Sequence, residues 1–179
     1  MGDNKFTLEK LKYVLENSTC PVVIDADGLN VLKNDNSILN QYKGRIIITP
    51  HLGEMSRLTG KSISYIRDNR MDVAKEFAKE KGIIVLLKGY ETIITDGEIA
   101  YVNPTGNSSM ANGGMGDCLL GMIVSFIGQG MSQFNAVVCA AYIHGYIGEN
   151  LSKKLYTVNA TNIIDEIPRT MKKINIEIN

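Results

Sequence analysis

The sequence predicts an α/β domain with a mainly parallel central sheet plus a β-hairpin. Residues 21–25, 44–49 and 83–87 are short apolar runs rich in β-branched side chains, the signature of buried parallel strands. Helical apolar spacing separates the second run from the third, and strand–helix–strand order gives right-handed crossovers. Residues 92–95 and 98–102 then flank Asp96 and Gly97, a pair that tolerates the positive φ angles of a type I′ hairpin turn.

Taken in order, the chain opens with a helix over residues 7–17, with Leu8, Leu11, Val14 and Leu15 at helical spacing and Thr7 placed to cap it. A single helix over 65–81 carries Met71, Val73, Ala74, Phe77 and Ala78 on its core side. After the hairpin, residues 117–127 form a helix apolar almost all round, which implies burial, and 132–150 form another. A short helix over 161–167 ends before Pro168, and the tail 171–179 adds a strand. Without a linker or repeat, residues 1–179 read as one domain.

Composition narrows the function. Nineteen basic and nineteen acidic residues cancel. That balance speaks against a nucleic-acid partner, which needs excess Lys and Arg to replace phosphate counterions, and against a polybasic membrane anchor. Cys20, Cys118 and Cys139 are three and widely spaced, unlike a zinc or disulfide framework, so they read as small buried thiols in a reducing compartment. The N-terminus has no signal-peptide pattern, and no apolar run reaches about 18 residues. The expectation is a cytoplasmic protein with a small-molecule ligand and no membrane partner.

Four segments could carry chemistry. Asn112, Gly113, Gly114, Met115, Gly116 and Asp117 precede the apolar helix. The glycines let backbone approach a ligand, and the free amides of a helix start suit phosphate. Asp117 is either a helix-terminal stabiliser or a general base toward a hydroxyl attacking a phosphoryl group. Upstream, Asn103, Pro104, Thr105, Gly106 and Asn107 extend this into a long polar loop. Lys88, Gly89, Tyr90, Glu91 and Thr92 follow the third strand, where Lys88 is either a phosphate contact or a surface lysine. Thr49, Pro50, His51, Leu52, Gly53 and Glu54 follow the second strand, with His51 either structural or a ligand contact. Asp25, Ala26, Asp27, Gly28, Leu29 and Asn30 close the first. Asp27 and Asn30 could cap a short helix; Asp25 could position a substrate hydroxyl or hold a divalent metal through water. His144, in an apolar stretch, reads as structural.

Together, in this order, these segments resemble the ADP/ATP-dependent NAD(P)H-hydrate dehydratase family of the ribokinase-like superfamily, over roughly residues 20–150. The resemblance implies a three-layer α/β/α ribokinase-like fold. It implies a substrate, hydrated NADH or NADPH, whose hydroxyl is phosphorylated and then lost as phosphate, with ADP or ATP as donor and Mg2+ assisting. Asp117 would be the base and touch the substrate; His51 would touch it too, and Asp25 and Asn30 would line its site. Lys88, Gly89, Tyr90, Glu91, Thr92, Asn103, Thr105, Asn107, Gly113, Gly114 and Gly116 would hold the nucleotide. No protein-built metal site is assigned, and relatives suggest a homo-oligomer.

Three departures stand out. Leu52 replaces a frequent proline, and Met115 replaces a small residue such as serine, removing a hydroxyl donor. The family's opening strands have no counterpart, and Met1, Gly2 and Asp3 resemble the tail of its glycine-rich substrate loop, so the domain is expected to be N-terminally truncated. Two other readings stay open: a vitamin-precursor kinase of the same superfamily acting on a thiazole or pyrimidine alcohol, and a non-catalytic nucleotide-binding module.

Overall fold

Three consecutive isoleucines, Ile46–Ile48, form strand β2, and none of them is exposed. Successive strand side chains point to opposite faces, so β2 is covered on both, which explains a run with no polar alternation. It pairs in parallel with β1 (Val22–Ile24) on one side and β3 (Ile84–Leu87) on the other. Strands β4 (Ile93–Thr95) and β5 (Ala100–Val102) continue the sheet antiparallel. The sheet is mixed, in the order β1-β2-β3-β4-β5. This computed structural model describes residues 5–33 and 35–178, with side chains to Ile174. Met1, Gly2 and Asp3 lie outside the described residues.

The chain forms two units, Met1–Val102 and Asn103–Asn179. In the first, α1 (Lys5–Asn17), α2 (Asp27–Asn30), a 3-10 turn at Ser37–Tyr42, α3 (Leu52–Thr59), α4 (Ile63–Asp68) and α5 (Arg70–Lys81) accompany the sheet. Leu15, Leu29, Leu39, Met55, Ile66 and Phe77 join the strand isoleucines in one apolar core. Fully burying each such side chain is worth about 2 kcal/mol, which anchors these short helices.

Several local expectations need correction. Thr7 is buried inside α1, which begins two residues earlier, at Lys5. The single helix over 65–81 is two, α4 and α5, broken at Asn69. Its side-chain amide donates to the Tyr65 carbonyl at 2.9 Å, offering the backbone an alternative to continuing the helix. The hairpin turn is not type I′. Of the pair Asp96 and Gly97, Asp96 has no positive φ, whereas Gly97 has one, at 98°. Asp96 Oδ1 instead accepts from the Glu98 and Ile99 amides, at 2.9 Å each. A Cβ on Gly97 would lie 2.6 Å from the Lys79 backbone, so glycine is required there by space as well as by φ.

The second unit begins with a loop containing a 3-10 turn at Ser108–Met110. It continues into α6 (Met115–Gly128), α7 (Gln133–Ser152) and α8 (Ala160–Ile178). Helix α8 runs through Pro168, where the sequence predicts a stop, and through the segment expected to be a strand. Its amphipathic pattern outweighs a proline that stands exposed. Helix α6 is not buried all round. Met115, Cys118, Leu119, Met122 and Ile123 pack inward, while Val124 is 54% exposed and Gly121 and Ser125 are exposed.

Candidate active site

In the first unit, the carboxyl ends of the three parallel strands carry a linked set of charged side chains. Asp25 directly follows β1, and Lys88 directly follows β3. Lys88 Nζ donates to Asp25 Oδ1 at 2.8 Å and Oδ2 at 3.0 Å. The same ammonium lies 3.9 Å from Glu54 Oε2. Glu54 is only 5% exposed, so its carboxylate meets these partners rather than water. The strand ends are tied together by the Lys88 amide, which donates to the Pro50 carbonyl at 2.8 Å.

His51 is the N-cap of α3. Its Nδ1 accepts from the Gly53 amide at 2.9 Å and the Glu54 amide at 3.3 Å, while Glu54 Oε2 accepts from the His51 amide at 2.8 Å. This is a capping box with histidine in the usual Ser or Thr place. Half the ring remains exposed.

Neither Asp27 nor Asn30 caps α2, whose N-cap position is Ala26 without a side-chain bond. Asn30 Oδ1 instead accepts from Arg57 Nε at 2.9 Å. Ala26 itself has φ 48°, a conformation that costs a non-glycine residue about 1 kcal/mol or more and turns the chain directly after Asp25.

The loop after β3 is shaped by a residue the sequence did not flag. Arg70, at the start of α5, donates from Nη2 to the Leu87 carbonyl at 3.3 Å and from Nη1 to the Tyr90 carbonyl. Burial pushes its guanidinium below the ordinary value, with the Glu91 carboxylate opposing the shift. Thr92 Oγ1 donates to the Gly89 carbonyl at 2.9 Å, closing the loop. A Cβ on Gly89 would sit 3.0 Å from Arg70 Nη2. Tyr90 is 79% exposed, and Glu91 holds φ 54°.

In the second unit, Gly114 is the N-cap of α6 at φ 82°, and no side chain caps the helix. The Cys118 amide bonds back to the Gly114 carbonyl at 3.0 Å. By helix geometry, the amides of Met115, Gly116 and Asp117 have no acceptor within the helix, and the positive end of the dipole lies there. Asp117 is exposed in this first turn. It borders an open, apolar groove of about 720 Å³ between α6 and α8, walled by Met122, Phe126, Ile164 and Met171.

The polar loop before α6 is bolted to α7. Asn103 is buried, and its Nδ2 donates to the Thr105 and Ala141 carbonyls at 3.1 and 3.2 Å. Thr105 Oγ1 reaches the Tyr142 carbonyl at 2.9 Å, and the Gly106 amide donates to Glu149 Oε1 at 3.0 Å. Asn107 Nδ2 donates to Ser152 Oγ at 2.9 Å, and its Oδ1 accepts from the Ser109 amide at 3.1 Å. The close approach needs Gly145, where a Cβ would lie 2.3 Å from Thr105 Oγ1 and 2.6 Å from its carbonyl carbon. These side chains shape the loop.

The described residues do not form a magnesium cage. No three His, Cys, Asp or Glu side chains cluster among them, and both Asp25 oxygens are engaged by an ammonium. Magnesium characteristically meets one or two carboxylates together with substrate phosphates.

Glu54, Arg70, Gly145 and Glu149 are the residues sequence reasoning missed. The His-x-x-Glu spacing at 51 and 54 was the available signal for Glu54. Gly145 and Gly148, small residues three apart in an apolar helix, were the signal for the loop's close packing. Arg70 and Glu149 had none.

Comparison with known proteins is consistent over most of the chain. The family profile described as NAD(P)H-hydrate dehydratase matches residues 1–169. The ADP-dependent (S)-NAD(P)H-hydrate dehydratase of Bacillus subtilis is 35% identical over 158 residues, covering 86% of this chain and 55% of that protein. The bifunctional NAD(P)H-hydrate repair enzyme of Moorella thermoacetica is 36% identical over 176 residues, 96% of this chain and 33% of that one. The crystal structure of the Bacillus subtilis ADP/ATP-dependent NAD(P)H-hydrate dehydratase, co-crystallised with ATP/Mg2+, superposes with a TM-score of 0.83 at 30% identity. It covers 97% of this chain and 61% of that one. The fold is therefore the ribokinase-like α/β fold the sequence predicts, in a chain that spans about three-fifths of the solved relative.

Proposed function

Because the chain belongs to the NAD(P)H-hydrate dehydratase family, we propose that it carries out the nucleotide-dependent dehydration of hydrated NADH or NADPH. The observation that carries this reading is the position of Asp117, exposed in the first turn of α6 beside the helix-start amides and an open groove. A carboxylate there can take a hydroxyl proton while the amides receive phosphate.

In the proposed reaction, Asp117 accepts the proton of the substrate hydroxyl. The hydroxyl oxygen bonds to the terminal phosphorus of ADP, and the phosphoanhydride bond breaks to release AMP; with ATP, ADP leaves. The new phosphate then departs with its bonding pair while the neighbouring ring carbon gives up a proton, restoring the dihydronicotinamide. Magnesium, carried on the nucleotide, supplies charge neutralisation at the phosphates.

In the first unit, Lys88, Gly89, Tyr90, Glu91 and Thr92 are assigned to nucleotide contact; in the second, Gly113, Gly114 and Gly116 are assigned to phosphate contact. Asn103, Thr105 and Asn107 shape the adjoining loop. His51, Asp25 and Asn30 attend the substrate. The proposal includes a homo-oligomer in the cytoplasm; light scattering on the purified chain tests the assembly.

The test is Asp117→Ala, read by turnover and by calorimetry with ADP. A single general base contributes roughly 100-fold or more. The expected result is a collapse in rate with nucleotide affinity largely kept. Lost affinity with unchanged turnover per bound complex contradicts the role. A stable phosphorylated alcohol would instead indicate a kinase, and binding without turnover a nucleotide-binding module.

A further inference from the structure

We propose that His51 is locked as a hydrogen-bond donor through Nε2, and that Glu54 is the positioning residue that holds it there. The ring's two nitrogens are not equivalent in this structure. Nδ1 receives two backbone amides, from Gly53 at 2.9 Å and Glu54 at 3.3 Å. A nitrogen facing two N–H groups must present its lone pair, so the single proton of the neutral ring resides on Nε2. Nε2 is the other ring nitrogen, 3.5 Å from Glu54 Oε1, on a side chain that is 54% exposed.

Two further features fix the ring. Glu54 Oε2 accepts from the His51 amide at 2.8 Å, and Oε1 lies 3.5 Å from Nε2, so one buried carboxylate brackets the residue from backbone to ring edge. Gly53 leaves the room: a Cβ there would stand 2.9 Å from His51 Cε1 and 3.2 Å from Nδ1. Any side chain at 53 would push the ring off its amides.

A fixed donor selects an oxygen acceptor. Resting on the dehydratase reading, that acceptor is an oxygen of the hydrated dihydronicotinamide. His51 would then orient the substrate and leave proton removal to Asp117.

Nitrogen-15 NMR of the full chain at mildly alkaline pH tests the lock. There are two histidines, and His51→Asn assigns the signals by removing one set. The expected spectrum shows the Nε2–H form alone, with scalar coupling between the Gly53 amide nitrogen and His51 Nδ1. Glu54→Gln, which keeps an acceptor for the His51 amide, retains this signature; Glu54→Ala loses it to a mixture of tautomers. An Nδ1–H form in the wild-type chain overturns the proposal, as does a tautomer mixture there or a Glu54→Ala spectrum identical to wild type.

The donor role is read separately. His51→Asn and His51→Thr both supply a neutral capping oxygen, but only asparagine carries an N–H donor with reach. Calorimetry with hydrated NADH should show near wild-type affinity for His51→Asn and a loss on the order of tenfold for His51→Thr, at matched stability. Equal affinities would overturn the donor role. If the wild-type chain does not bind hydrated NADH, the dehydratase reading fails, while the NMR result still decides the lock.

Discussion

Lys88 and Asp25 are 63 residues apart in sequence and form a bidentate ion pair, with Nζ 2.8 and 3.0 Å from the two carboxylate oxygens. Each side chain stands at the exit of its own parallel strand, so the pair reports directly on the register β1-β2-β3. With side-chain exposures of 25% and 11%, the charges are partly shielded from water. Removing one partner strands the other. Asp25→Ala should lower the unfolding free energy by about 2 kcal/mol, a discounted value for a pair that keeps some solvent contact. Urea denaturation measures it, and the Asp25→Ala/Lys88→Met double variant should recover most of the loss. A double variant no more stable than Asp25→Ala would show the two charges are uncoupled.

Burial pushes the His144 imidazole down to about 4 from 6.5, and among the described side chains its Nε2 has no hydrogen-bond partner. The unfolded chain therefore binds a proton that the folded chain refuses. The contribution to stability is complete above the unfolded value of 6.5 and is lost as pH falls toward about 4. Full linkage over that window amounts to roughly 3 kcal/mol. His144→Leu should flatten this part of the stability–pH curve, measured by denaturant titration across the window; an unchanged slope would place the acid sensitivity elsewhere.

Gly145→Ala should dislodge the loop that precedes α6. The new Cβ would overlap the Thr105 backbone, 2.6 Å from its carbonyl carbon, and backbone yields less readily than a flexible side-chain tip. Overpacking of this kind costs about 1–3 kcal/mol. Hydrogen exchange at the Gly106 amide should accelerate as its bond to Glu149 breaks.

Arg70→Met should loosen the loop over residues 88–92 without altering the strands. The variant loses the bonds to the Leu87 and Tyr90 carbonyls. Exchange at the loop amides should rise, and ADP affinity should fall on the order of tenfold if preorganisation of that loop supports binding.

Pro168→Ala should raise the melting temperature. Pro168 sits within α8, exposed, and cannot donate to the carbonyl one turn earlier. Alanine restores that bond and should add about 1 kcal/mol or more.

What was legible in the sequence follows its physical periodicities. Apolar runs rich in β-branched side chains marked β1, β2 and β3, most clearly β2, where burial on both faces leaves no polar alternation to misread. The break at Asn69 was hidden because the apolar spacing on either side is helical in both halves; at the end of α4 the Asn69 side-chain amide donates to the Tyr65 carbonyl. Pro168 misled in the other direction, since a local stop signal was weaker than the pattern of the whole helix. Among the candidate residues, Asp25, His51 and Lys88 in the first unit and Asp117 in the second were visible as polar residues at element ends. Arg70 was not, because its part depends on a partner found in the fold, the Leu87 carbonyl; Glu54 carried the His-x-x-Glu spacing, but its nearness to Lys88 shows only in the fold.

The central claim is tested most directly by incubating the purified chain with hydrated NADH and ADP and following the near-ultraviolet absorbance of dihydronicotinamide. The expected result is recovery of that absorbance, dependent on ADP or ATP, with one nucleotide phosphoanhydride consumed and one phosphate released per ring restored. Recovery that proceeds without nucleotide, or nucleotide and substrate that bind and persist unchanged, would contradict it.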